Sequence, residues 1–279
     1  MADFTVTTQA APGHDHVTVI SYERAPHNYF TPGLIGVLAD TLEELAGDGR
    51  TRAVVLRADG RHFCAGADFS GTASGDGDGD SADGRSAGKG DVDLNVETLY
   101  GHAIRMFAQP LPIVAQLQGA VIGGGLGLAL AADFRVAAER TRLTANFSRI
   151  GIHQGFGLTV TLPRLVGEHR AAELLLTGRN VRPPEALAIG LIDAIDDAED
   201  IPKSGWVSAE AVRLAAELAG NAPLAVRSIR ETLRQGLVGQ IRAAVGREAS
   251  QQRKLFTTSD FREGVTAAAE HRPANFTAS

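Results

Sequence analysis

The chain has 279 residues, of which 44% are hydrophobic and 22% charged, a composition that describes a globular protein with apolar material for a sizeable core. A formal charge of -6 gives no basis for nucleic acid as a partner, and any anionic ligand would need a local basic patch. A single cysteine, Cys64, excludes an internal disulfide framework and suits a reducing cytoplasm, the expected location; the opening residues MADFTVTTQAAPGHD lack the basic start and apolar core of a signal peptide.

In chain order, HVTVIS (16–21) alternates polar and apolar residues as a half-buried strand does. Thr31 followed by Pro32 marks a helix start, and Leu34, Leu38, Leu42 and Leu45 keep one apolar face along it. AVVL (53–56) reads as a buried strand, so that strand, helix and strand form a βαβ-like unit whose ligand is expected beyond the carboxyl ends of the strands. CAGAD (64–68) lies there. Residues 70–91 are almost wholly Gly, Ser, Asp and Ala and cannot support a packed core, so they predict a mobile, solvated acidic loop. Asp76, Asp78 and Asp80 have the spacing of a calcium-loop start, but Ser81 replaces the expected glycine and no closing glutamate follows, so no metal is predicted.

Val92 to Ala108 predicts a helix that ends at Gln109-Pro110. The next stretch, PIVAQLQGAVIGGGLGLALAAD (112–133), predicts a buried strand, a turn at Gly119, and a buried helix over Leu126–Ala132 opened by Gly123, Gly124 and Gly125. About twenty mostly apolar residues are long enough to span a bilayer, but five glycines with Gln116 and Gln118 argue against a membrane span. Three consecutive glycines are costly in chain entropy, which implies that a backbone approaches something closely, and free amides at a helix start can donate to an anionic or carbonyl oxygen. Short strands over 134–137 and 142–145, a glycine-punctuated turn in ANFSRIGIHQGFG, and helices over 159–166, 170–176, 184–188, 208–219, 223–235, 241–256 and 260–270 complete the reading.

Taken together, VVLRADGRHFCAGADF and, some fifty residues later, LPIVAQLQGAVIGGGLGLALAADFRVAA resemble the two signature blocks of the crotonase superfamily, the enoyl-CoA hydratase/isomerase family; the resemblance runs to the terminal HRPANF. It implies an α/β fold, a spiral of ββα units over residues 1–206, followed by a helical region over 207–279 that packs against other subunits and closes the coenzyme A site. It also implies an acyl-CoA substrate, coenzyme A entering as part of that substrate with no tightly bound cofactor, and a homotrimer or dimer of trimers. The amides of Ala67 and Gly124 match the family's oxyanion hole, in which two fixed N–H donors favour an enolate over a ground-state carbonyl. Around the coenzyme, the resemblance points to Arg24, to the segment with His27 and Tyr29, to Ala65 and Asp68 beside the first donor, and to His271 or Arg272 near the end of the chain.

Hydratases of this family use two glutamates, one to deprotonate water and one to handle the proton added beside the carbonyl. The matching positions here hold Gly127 and Phe147, which predicts chemistry other than ordinary hydration. His153, in the same turn as Phe147, is the first choice to move protons, because imidazole exchanges them near neutrality. Tyr100 is a second candidate, set against a plain packing role; Gln154 can orient a substrate but cannot titrate. Cys64 with the nearby His62 suggests a thiol nucleophile only if activated, and a buried structural cysteine is the simpler reading. A noncatalytic CoA-thioester-binding protein, or a family decarboxylase or C–C hydrolase, stays open as an alternative.

Overall fold

The computed structural model describes residues 3–67, 96–196 and 205–279, so Asp68 and the 70–91 insertion lie outside the described residues. A hairpin of β1 (Thr5–Ala11) and β2 (His14–Glu23) opens the chain, and β2 then pairs in parallel with β3 (Ala53–Ala58). With β4 (Ile113–Leu117), β6 (Phe134–Ala138) and β9 (Ala194–Asp196), these strands form a six-stranded sheet in the order β1-β2-β3-β4-β6-β9, parallel from β2 onward. A second sheet holds β5 (Ala120–Ile122), β7 (Arg142–Thr144) and β8 (Asn180–Val181). The chain steps from the large sheet to the small one at β4–β5 and again at β6–β7, each pair leading toward a helix, which is the ββα winding expected of the spiral.

The run AVVL of β3 is apolar on both faces because both are covered. Val54 and Leu56 join one core with Leu34, Leu38 and Leu42 of α1 (Pro32–Gly47), each fully buried leucine contributing about 1.5–3 kcal/mol. Thr31 caps α1, its hydroxyl accepting from Leu34 N at 3.1 Å. Ala53 and Val55 face the other way, where Ala211, Ala215 and Ala219 of α7 (Ala209–Gly220) recur at helical spacing and let that helix lie close on the sheet.

Between β3 and β4 the described part of α2 is Val96–Phe107. The glycine-rich α3 spans Gly124–Ala131, beginning two residues before the expected Leu126. Helices α4 (Leu158–Val166), α5 (Glu168–Thr177) and α6 (Pro183–Ala188) follow, and after α7 come α8 (Pro223–Leu233), α9 (Leu237–Leu255) and α10 (Ser259–Ala269). Four strands, β1, β5, β8 and β9, have no counterpart in the sequence reading. Strand β1 is mostly exposed Thr and Gln and carries no apolar alternation; the other three are two or three residues long, and only pairing with distant partners makes them strands. Among the described residues, no helix is long and apolar enough to cross a membrane.

Candidate active site

Cys64 bridges Val121 of β5 in parallel, with Cys64 N donating to Ala120 O and Ile122 N donating to Cys64 O, both at 3.0 Å. The two segments therefore run side by side and end at the same level. One continues through Gly66 into Ala67, the other through Gly123 into Gly124. Gly123 adopts φ 58°, a left-handed conformation that suits glycine, and it turns the strand directly into α3. The Gly124 amide, in the first turn of α3, has no intrahelical acceptor and sits at the positive end of the helix dipole. Neither it nor the Ala67 amide donates to an acceptor among the described residues. The loop before α1 holds the first donor in place, through Ala65 N to His27 O at 3.1 Å and Phe30 N to Gly66 O at 3.0 Å.

The glycines are small because the packing leaves no alternative. A Cβ on Gly124 would come within 2.2 Å of the Phe30 ring, and one on Gly125 within 2.5 Å of the Cys64 carbonyl oxygen. Ala67 and Gly124 open onto a cavity of about 30 Å³, the space of roughly one water. Its walls are the rings of Phe30, Phe147, Phe156 and Phe256, with Val96, Leu99 and Ile152. Its polar side chains are Tyr100 and Gln252; among the described residues no carboxylate lines it. The Tyr100 hydroxyl donates to Gln252 Oε1 at 2.8 Å, and Gln252 Nε2 donates to the His153 carbonyl at 3.0 Å. Burial raises the Tyr100 pKa far above that of a free phenol, and the nearby Glu248 charge adds to the shift.

Gly127, which the family resemblance matches to the first glutamate, is closed in by packing. A Cβ on Gly127 would lie 2.5 Å from the Cβ of Phe156. Phe156, between two glycines and itself at φ 58°, packs its ring against those of Phe30 and Phe107. At the second position Phe147 is buried, its ring edge 3.6 Å from where a Gly123 Cβ would stand. Glu248 on α9 holds the loop that carries Phe156: its carboxylate accepts from Gly157 N at 2.8 Å, Thr159 N at 3.3 Å and the Thr159 hydroxyl at 2.6 Å. Burial raises the pKa of Glu248, while the Thr159 hydroxyl and the loop amides oppose that shift. Sequence reasoning missed Phe30, Phe156, Glu248 and Gln252; the available signals were a bulky residue inside Gly155-Phe156-Gly157 and an acid and an amide one turn apart on a long helix.

Of the predicted residues, Ala67, Gly124 and Tyr100 meet at this cavity. His153 is half-buried and is not part of the lining; its Nδ1 lies 2.9 Å from the Gln154 carbonyl. Cys64 is buried, and that burial pushes its thiol up to about 12, which leaves it a poor nucleophile near neutrality. His62 Nδ1 accepts from Ala120 N at 3.1 Å, and its pKa is lowered by burial and by Arg61, His27 and Arg142. The His27 ring stacks on His62 and stands at an angle to Tyr29, on the outer side of the same loop. Arg24 pairs with Asp3 at 2.5 Å, and Arg272 is held by Glu263 and Glu270 at 2.6 Å each. Exposed His271 adjoins it beyond α10, and no contact joins this pair to Arg24 among the described residues.

A ββα spiral that ends two parallel segments in side-by-side amides, without an acceptor among the described residues, defines a crotonase-fold protein. The chain belongs to the enoyl-CoA hydratase/isomerase family, whose model matches residues 13–279. It is 32% identical over 264 residues to a Bacillus subtilis protein named "Probable enoyl-CoA hydratase", covering 93% of this chain and 95% of the relative. It is 28% identical to the mouse mitochondrial methylglutaconyl-CoA hydratase over 262 residues, covering 93% of this chain and 79% of that one. Among solved structures, an enoyl-CoA hydratase from Mycobacterium avium subsp. paratuberculosis superposes with a TM-score of 0.77 at 26% identity, covering 99% of each chain.

Proposed function

We propose that the protein is an enzyme of the lyase or isomerase type that binds an acyl-CoA thioester, seats its carbonyl oxygen between the Ala67 and Gly124 amides, and stabilises the enolate formed there. The observation that carries this reading is the pair of amides, without an acceptor among the described residues, at the ends of adjacent parallel segments and open to an apolar cavity. Excluding water strengthens such donors, and each supplies ~3 to 4 kcal/mol of barrier lowering when aimed at the developing charge.

The reaction differs from the hydration that the relatives' names describe. Hydration needs groups to activate water and move a proton, each worth ~10² to 10⁴-fold, and Gly127 and Phe147 supply neither. Tyr100 is the titratable side chain on the cavity wall among the described residues; its raised pKa keeps it protonated near neutrality, so it cannot serve as a base, and its hydroxyl is placed to donate toward an enolate. His153, whose main-chain carbonyl accepts from the same Gln252 that accepts from Tyr100, is the second candidate. The coenzyme rests along the His27–Tyr29 loop with Ala65 and Asp68, and Arg24, His271 or Arg272 meets its phosphates after exchanging a carboxylate partner where one is present. No cofactor is held apart from the substrate's own coenzyme A, and the setting is the cytoplasm, in fatty acid or related acyl-CoA metabolism.

Assembly as a homotrimer or dimer of trimers is part of the proposal. It is supported by α8, where Ile229 and Leu233 are 60% and 76% exposed on one face with Val226. Sedimentation at micromolar concentration should give a trimer or hexamer mass; a monomer would count against it.

A panel of acyl-CoAs followed by mass spectrometry tests the function. The expected result is a product from at least one thioester, with crotonyl-CoA hydrated at least ~10²-fold more slowly than by a two-glutamate relative. Rapid crotonyl-CoA hydration overturns the assignment of Gly127 and Phe147, and tight binding of every thioester without turnover favours a noncatalytic binding protein.

A further inference from the structure

A cavity of about 30 Å³ cannot hold an acyl group of several carbons, so the chain of any such substrate has to find room elsewhere. A second, larger cavity of about 390 Å³, a size ordinary for ligand sites, lies behind one wall of the first. The two are adjacent through the chain itself. Phe147, Ile152 and Phe256 face the small cavity, while their immediate neighbours Ser148, Gly151 and Leu255 face the large one. The partition is thus the 3₁₀ turn Asn146–Ile150 with its exit on one side and the end of α9 on the other. No hydrogen bond crosses between residues 146–152 and 253–258 among the described residues, so side-chain packing alone closes the seam. Behind it the floor is firm, because α10 sits on the turn with the Gly264 backbone against Ile150.

The larger cavity is open along the exposed tail residues Phe276, Ala278 and Ser279, and its lining is mixed, with the polar groups engaged along one side. Thr258 caps α10 through Phe261 N at 3.1 Å, and Asp260 accepts from Thr277 N at 2.7 Å and Ala278 N at 3.0 Å. Ser279 bonds Ser259. Beside the Asp260 carboxylate, the apolar side of the lining is Leu255, Phe276 and Ala278, and Ser148 Oγ is a buried lining atom without a partner among the described residues.

We propose that the apolar side of this second cavity, formed by Leu255, Phe276 and Ala278, serves as the acyl-chain chamber, and that the distal part of an unbranched acyl chain reaches it through the seam when the Phe256 and Phe147 rings swing aside. Phe256 and Leu255 then set the acyl length the protein accepts. The inference rests on the acyl-CoA reading above and adds where the chain goes.

Calorimetric titration with butyryl-, octanoyl- and dodecanoyl-CoA tests both separately. The expected result is affinity rising about fourfold per methylene once the chain passes the seam. Leu255→Trp, which fills the chamber, should abolish that rise and leave butyryl-CoA binding unchanged. Should that variant melt early, Phe256→Ala gives an independent reading: widening the seam should favour dodecanoyl-CoA over butyryl-CoA relative to the parent. Good butyryl-CoA binding with affinity flat in chain length, or a rise untouched by either variant, overturns the chamber alone. Failure of every thioester to bind brings down the acyl-CoA reading, and the chamber with it.

Discussion

Gly127 and Phe156 are packed so closely that a Cβ on the glycine would stand 2.5 Å from the Cβ of the phenylalanine. Both are buried, one in α3 and the other at φ 58° in the loop before α4, so neither backbone can retreat cheaply. Gly127→Ala should therefore destabilise the fold by about 1–3 kcal/mol through overpacking, despite alanine's better helix propensity. Phe156→Gly in the same chain should relieve the clash, with a coupling of about 0.5–3 kcal/mol in a double-mutant cycle. Thermal and urea melts measure this; a Gly127→Ala protein as stable as the parent contradicts it. For the same reason Gly127→Glu alone should not restore hydratase chemistry.

Because the donor proposed at residue 67 is a main-chain amide, side-chain changes there should be mild. Ala67→Gly keeps the N–H and should leave turnover within a few-fold, whereas Ala67→Pro removes it and should lower kcat by about 10²–10³-fold. Steady-state kinetics on the substrate found by the panel give the comparison, with a melt to show that the proline variant is folded. Equal losses for both variants would place the function of residue 67 in packing.

The choice between Tyr100 and His153 can be made from pH as well as from mutation. Burial holds the Tyr100 pKa well above that of a free phenol, so the donor stays protonated and kcat should be flat from about pH 6 to 9. An essential imidazole would instead produce a break within that range. Tyr100→Phe should then cut kcat by about 10²–10⁴-fold with little change in thioester affinity, and His153→Ala should do much less. A titration near neutrality that disappears in His153→Ala reverses the assignment.

Glu248 adds a pH dependence of stability. Its folded pKa is raised above the ordinary 4.5 by burial, so between those two values the folded state binds more protons than the unfolded one. The contribution to stability is fully present below pH 4.5 and is lost as pH rises through the folded pKa. Glu248→Gln removes this titration, so its unfolding free energy should fall less steeply than the parent's over that window. The variant should still be less stable near neutrality, because one amide side chain replaces a carboxylate that accepts three hydrogen bonds. Urea unfolding at a series of pH values measures both; parallel curves would show that burial of this carboxylate has no net titration effect.

Much of the frame was legible locally. The wholly apolar AVVL, the Thr31-Pro32 start of α1 and its leucine spacing each state a structure that a few neighbouring residues enforce, and the structure has them where the pattern put them. The short strands were not legible, because β5 and β8 exist only through partners twenty or more residues away. Neighbouring sequence could not supply that pairing.

The candidate site divides along the same line. The sequence by itself determined that glycines stand where two backbones must come close, that carboxylates are absent at 127 and 147, and that Ala67 and Gly124 follow strand-ending glycines. Those are properties of residue type and order. Only the tertiary structure decided that Phe156 closes the space beside Gly127, that Glu248 and Gln252 reach across from α9 to hold that loop and Tyr100, and that His153 stands behind the lining rather than in it. Each is a contact between elements far apart in the chain, 29 residues for Gly127 with Phe156 and about ninety or more for the α9 contacts, or a matter of which way one side chain faces, and such contacts are chosen by the packing of the whole core at near-crystalline density rather than by any local pattern.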